Sequence, residues 1–364
     1  MSGSVGAASQ SDSGWLSSLI GDAATVRTKL ETLTNQASTG LISSTYAGLG
    51  TGTAVSLDLN PEIASMQTWQ NNINQATGSM QVTQTAMTQM QSIASSFYSQ
   101  VNSLNSTSGS SVDVLAASAQ SALQQVAGLL DSTDGSSYVF GGADSTNPPV
   151  PDPDQILSSG FYTQINSAVG NLATAGAAAT VATTLATASS NAVGTSPFSA
   201  YMSQSATTLL ADAPQVQVGP GQMVQTGLLA SANTAVTSTG SSTTGSYMRD
   251  LMSALATVGS LTSAQATASG FQALTQATAS SLQSVVTAMG DDAGVLGNTQ
   301  AALTATQTQL SDTSVALTTQ VSGAQNVDMA QTLSDLTLVQ TQMQASYQVI
   351  AGMSALSLVK FLPT

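Results

Sequence analysis

The chain has 364 residues, 18 of them acidic and four basic, for a net charge of −14, with neither histidine nor cysteine. It therefore lacks an imidazole or thiolate for nucleophilic catalysis and for an ordinary zinc, haem or iron–sulfur site, and no catalytic, cofactor or metal residue is assigned. Cations at Arg27, Lys29, Arg249 and Lys360 alone cannot neutralise a run of phosphates, which excludes nucleic acid and electrostatic docking on an anionic membrane.

Residues 1–22, MSGSVGAASQSDSGWLSSLIGD, carry no basic stretch and no long apolar core, so they do not resemble a cleaved signal peptide. The chain is expected to be either cytosolic or exported without one. Nowhere do about 18 apolar residues follow one another, so membrane insertion is not expected. A cysteine-free chain can also pass between reducing and oxidising compartments without thiol chemistry. From Trp15 to Gln36 the pattern is helical, with Leu19, Ala23, Val26, Leu30 and Leu33 on one face. Gly40 is placed to end this helix.

Asn60-Pro61-Glu62 offers a helix start, Asn60 as N-cap and Pro61 at the first helical position. Residues 62–147 then contain no proline. Ile63, Met66, Trp69, Ile73, Ala76, Met80, Thr83, Met87, Met90, Ala94, Phe97, Val101 and Leu104 form a seam whose spacings from Trp69 onward alternate between 4 and 3. That is a heptad surface about six heptads long, a rod of roughly 60 Å at 1.5 Å per residue. Its methionines read as packing residues. The other faces carry Gln, Thr, Ser and Asn in place of the charges of a free-standing coiled coil. The seam fits either the core of a helical bundle or a surface that packs on other protein.

Most of the remaining prolines fall between Pro148 and Pro220, in a polar stretch that reads as turns and short strands or as a loosely organised insert. Helical periodicity returns between Thr262 and Met289. Leu296, Leu303, Leu310, Leu317 and Ala324 then recur every seven residues. Beyond Asp328, at an expected helix junction, come Leu333, Leu336, Val339, Met343, Tyr347 and Ile350. The tail clusters Leu356, Leu358, Val359, Phe361 and Leu362 around Lys360. Asp291-Asp292 and Asp152-Pro153-Asp154 read as solvated turn carboxylates, and the Ser/Thr-rich stretches 177–190 and 237–246 as exposed polar surface. Asn105-Ser106-Thr107 fits the short glycosylation acceptor pattern.

The expected fold is mainly α: an elongated antiparallel bundle of N- and C-terminal coiled-coil-like helices around a small polar insert, with or without short β-strands. Its expected parts are an N-terminal segment 1–60, a helical rod 61–147, an insert 148–245, a returning rod 246–326 and a C-terminal segment 327–364.

Four stretches make the sequence similar to the bacterial flagellin superfamily, which includes flagellin and the hook–filament junction protein. Leu30 to Gly40, LETLTNQASTG, resembles a helix closed by a Ser-Thr-Gly turn. Ser137 to Ala143, SYVFGGA, with Pro148 and Pro149, resembles the element that closes the N-terminal long helix. Gly227 to Asn233 with Met248-Arg249-Asp250-Leu251-Met252 resembles the re-entry into the C-terminal helices. Val327 to Ala330, Gln344 to Tyr347 and Leu356 to Leu362 resemble the closing helix and its apolar tail. Ser43 to Gly52 and Asn298-Thr299-Gln300 depart from the Asp-Asp-Ala-Ala and Asn-Arg patterns usual there.

The resemblance implies an extracellular structural subunit of the flagellum, not an enzyme, exported through the flagellar apparatus, with an export chaperone as a further partner. Its implied partners are copies of itself or other axial proteins: hook, hook-associated proteins and filament. It implies assembly residues Leu19, Val26, Leu30 and Leu33 in the N-terminal helix and Leu333, Leu336, Met343, Tyr347, Leu356, Leu358 and Phe361 in the C-terminal one. Ile73, Met80, Met87, Met90 and Phe97 would line the rod seam. A secreted adhesin or surface-array protein with a coiled-coil stalk is the alternative.

Overall fold

The computed structural model describes residues 6–104, 109–233 and 236–358, with side chains from 17 to 352. It is predominantly helical and divides into two compact units, residues 1–66 with 312–364 and residues 67–311.

In the first unit, α1 (Gly6–Thr39) packs along α10 (Met329–Leu358). α1 stops where Gly40 turns to φ +75°, a conformation glycine adopts without strain, and donates its N–H to Gln36 O at 2.8 Å. A short antiparallel bridge, Leu41 to Asn326, ties the two links together: Ile42 N–H donates to Gln325 O at 2.7 Å and Val327 N–H to Gly40 O at 2.9 Å. Asp328 then caps α10, its Oδ1 accepting from the N–H groups of Ala330 at 2.9 Å and Gln331 at 3.1 Å. The first turn of α2 (Gly52–Ser103) lies against the last turn of α9 (Phe271–Gln325). A Cβ on Gly52 would stand 2.6 Å from Ala324 O, so only glycine fits. Gln325 Nε2 donates to the buried Ser56 Oγ at 3.1 Å.

The helix start expected at Asn60 is corrected: α2 begins at Gly52 and carries Pro61 inside it. Pro61 cannot donate to the carbonyl four residues back, that of Leu57, but Leu57 is half exposed and water can serve that carbonyl. The stretch expected as a helical rod over 61–147 holds the rest of α2 and then α3 (Gly109–Leu130).

The second unit is built around α8 (Tyr247–Gly259), every residue of which is buried. α3 packs along one side of it. Two helices of the insert, α4 (Gly160–Gly170) and α6 (Ala177–Ser189), pack on α8 and on each other, with α5 (Leu172–Ala175) between them in the chain. α2 and α9 run antiparallel here: Gln307 Nε2 donates to Asn74 Oδ1 at 2.6 Å and Gln91 Nε2 to Val286 O at 3.1 Å. The main core joins Met87, Met90, Phe97, Leu123, Val126 and Leu130 to Leu251, Leu255, Leu282 and Val285.

The insert is neither loose nor merely polar. It holds α4 to α6, α7 (Ala206–Ala211) and the antiparallel strands β1 (Gln215–Gly219) and β2 (Gln222–Gln225). Phe161, Ile165 and Val169 recur every four residues on α4 and belong to the main core with Leu172, Leu209 and Leu228. Pro220 and Gly221 at φ +68° make the hairpin turn, and Val216 and Val218 of β1 cover Ile73, Met80, Leu296 and Leu303 as a second cluster.

α9 is a single helix through Gly290, Gly294 and Gly297, and so passes unbroken through Asp291-Asp292, where a turn was expected. Each interior glycine costs about 1 kcal/mol of helix propensity, and packing against α2 outweighs it. Asp292 is accordingly a buried helical residue and not a solvated turn carboxylate.

Candidate assembly surfaces

On α2 the seam faces inward. Met66, Ile73, Met80, Thr83, Met87, Met90, Ala94, Phe97, Val101 and Leu104 are buried, and Ile63, Trp69 and Ala76 are half-buried. Thr83, the polar member, donates its hydroxyl to Ser79 O at 2.9 Å, so its burial leaves no donor unsatisfied. Within residues 67–311 the seam therefore lies in an intramolecular core and presents no open surface.

The terminal helices differ. α1 turns Leu19, Ala23, Val26 and Leu30, all half-buried, and Leu33, buried, to one side. On α10 the covered face consists of Thr332, Leu336, Val339, Met343 and Ile350. Leu333 and Tyr347, expected on that same run, stand about half exposed beside it. They share their side with exposed Met329, being four and fourteen residues apart. Leu338 and Val349, eleven apart, make an exposed pair on the opposite flank. Ile20 is exposed on α1. The sequence pattern selected one apolar stripe per helix; α10 has three, and two have no cover among the described residues. Of the tail residues, Leu356 and Leu358 lie in the α10 backbone without described side chains, and Phe361 lies outside the described residues. Asn105-Ser106-Thr107 also lies outside them.

The SYVFGG element closes the second unit from within. Phe140 is fully buried, and its carbonyl accepts the Ala230 N–H at 3.1 Å. Gly142 sits at φ +63°, where a Cβ would meet Leu229 Cδ2 at 2.8 Å. Pro149 O accepts from Ser199 N–H at 2.8 Å. These contacts join the segment after α3 to the segment leading into α8.

The buried polar groups of α8 escaped the sequence reading. Arg249 donates through Nε to Ser231 O at 2.8 Å, through Nη1 to Ala188 O at 2.8 Å, and through Nη2 to Asn191 Oδ1 at 2.7 Å. Its guanidinium also lies 5.0 Å from the Phe198 ring centre. Burial lowers its pKa. Asp250 accepts from the Ser238 hydroxyl and from Thr244 N–H. Asp292 of α9 accepts from the Tyr247 hydroxyl at 2.5 Å. A charged pair in an otherwise apolar helix, MRDLM, was the available signal. Among the described residues no group of three or more acidic side chains is placed to hold a metal ion, and no helix is long and apolar enough to cross a membrane.

Residues 22–142 match the family model of the bacterial flagellin N-terminal helical region, and residues 279–362 match that of the bacterial flagellin C-terminal helical region. Among curated proteins, none matches the chain.

Proposed function

The chain belongs to the bacterial flagellin family, and from that premise we propose that its copies join through α1 and α10 into an axial structure of the flagellum that supports swimming. The family is structural and not enzymatic, and its place is the extracellular flagellar filament. The observation that carries the proposal is the uncovered apolar surface of the paired terminal helices: Ile20, Met329, Leu333, Leu338, Tyr347 and Val349. Exposed apolar stripes on both flanks of one helix pair suit contact with more than one neighbour. Head-to-tail contacts that do not close generate filaments. Residues 1–60 and 327–364 would then be assembly segments, 61–147 and 246–326 the helical body, and 148–245 an elaboration of that body. The absence of cysteine suits export through the flagellar apparatus, with or without a chaperone, before contact with hook or hook-associated proteins.

The test is to delete the encoding gene, restore it in trans, and image concentrated purified protein by negative stain. Swimming lost and regained, with filaments formed by the protein alone, is the expected result. Retained swimming and a monodisperse protein would overturn the proposal.

A further inference from the structure

We infer that residues 67–311 form an acid-hardened body, whose buried carboxylates are held by hydroxyl and amide donors instead of cations and whose stability increases as the surroundings turn acidic.

Most folds lose stability in acid for two reasons: ion pairs are broken as carboxylates take up protons, and buried neutral histidines must charge. This chain has no histidine. Its ion pair among the described residues is Arg27–Glu31, exposed on α1 and outside this body. Within 67–311 the one basic residue is Arg249, and its described hydrogen bonds go to carbonyls and an amide oxygen, none to a carboxylate. Acid therefore has little electrostatic attraction to remove.

Three carboxylates stand to gain from protonation. Asp292 is enclosed between α9 and α8, facing the Tyr247 hydroxyl. Asp250 is fully buried, bonded to the Ser238 hydroxyl and Thr244 N–H, with Arg249 beside it in the chain as the one charged group acting on it. Asp131, half-buried after α3, accepts from Val150 N–H at 2.9 Å and faces no described cation. Burial raises all three: Asp131 to about 6, Asp250 and Asp292 in the same direction, against hydrogen bonds that pull them down. Asp134 opposes them. It is held below the usual range by the Ser79 hydroxyl, and its contribution is lost only as pH falls through that lowered value.

For a raised carboxylate, the folded chain holds a proton that the unfolded chain has released. The stability this contributes is fully present below the unfolded value, about 3.9, and is lost as pH rises through the folded one. The window for Asp131 thus runs from about 4 to about 6, and those of the other two also open upward from about 4.

The experiment is thermal unfolding of dilute full-length protein followed by circular dichroism at about pH 7.5 and about pH 5, in about 0.5 M salt to screen repulsion between surface acids. The main transition should be higher at the lower pH by about 3 °C or more. Asp131→Asn and Asp292→Asn should flatten that rise, and the exposed Asp212→Asn should leave it intact. A midpoint that is unchanged or lower in acid overturns the inference on wild-type protein alone, whatever the variants do. A rise that survives Asp131→Asn, Asp250→Asn and Asp292→Asn combined in one chain overturns it too, by placing the effect on the surface. Because the protein is dilute and monomeric, neither failure touches the assembly proposal.

Discussion

Arg249 holds together segments far apart in the chain. Its acceptors come from residues 188–191 and 231, and its ring partner is Phe198. A lysine there keeps the charge but loses the planar fork and cannot reach three directions at once. Arg249→Lys should cost about 2–4 kcal/mol, since it leaves buried carbonyls unpaired around a buried cation. Denaturant melts check this, and a loss under about 1 kcal/mol would mean that the fork is not what joins these segments. Nothing local in the sequence announces these acceptors, because they are set by how α6 and the segment before α8 pack. The seam of α2 is the opposite case, fully local and legible from spacing alone. Met87→Asp buries an unpaired carboxylate among apolar groups and should cost about 4 kcal/mol. Ser95→Asp on the exposed side of the same helix should stay within about 0.5 kcal/mol. Equal costs would mean that the register is wrong.

At the scale of elements, legibility followed length. α2 and the returning α9 carry a seven-residue rhythm over many turns, and that rhythm located both. Their ends were harder to place. Pro61 suggested a start that the half-exposed turn at Leu57 makes unnecessary, and Asp291-Asp292 suggested a turn that packing overrides. The helices of the insert are short, and Phe161, Ile165 and Val169 give too few turns for periodicity to stand out between prolines. The terminal helices were found, but their exposed flanks were not, because one stripe is all that a helix-to-helix contact demands. Burial also predicts how the elements differ in stability. In residues 1–66 with 312–364 the buried apolar side chains among the described residues are Leu33, Leu49, Met66, Val321 and Val339. Both apolar core clusters lie in the other unit. In the monomer, hydrogen exchange should be fast along α1 and α10 and slow from Met80 to Phe97. Uniform protection over all three would contradict the need for neighbouring copies.

At the scale of the whole molecule, the two units bury their apolar residues differently. The body encloses its own seam, whereas among the described residues the terminal pair covers one stripe of α10 and leaves two open. Family membership was legible in the sequence through the Ser-Thr-Gly turn, the SYVFGG element and the closing helix. What was not legible is which apolar residues of that closing helix are covered within one chain and which stand exposed. That distinction depends on the rotation of α10 against α1, a tertiary quantity. The most direct measurement uses Leu333→Gln combined with Tyr347→Gln. Both side chains are about half exposed in the single chain, so the monomer should keep its circular dichroism spectrum and melting profile. Sedimentation of the concentrated protein should then show polymer for wild type and none for the double variant. A variant that folds normally and still sediments as wild type would contradict assembly through this face of α10.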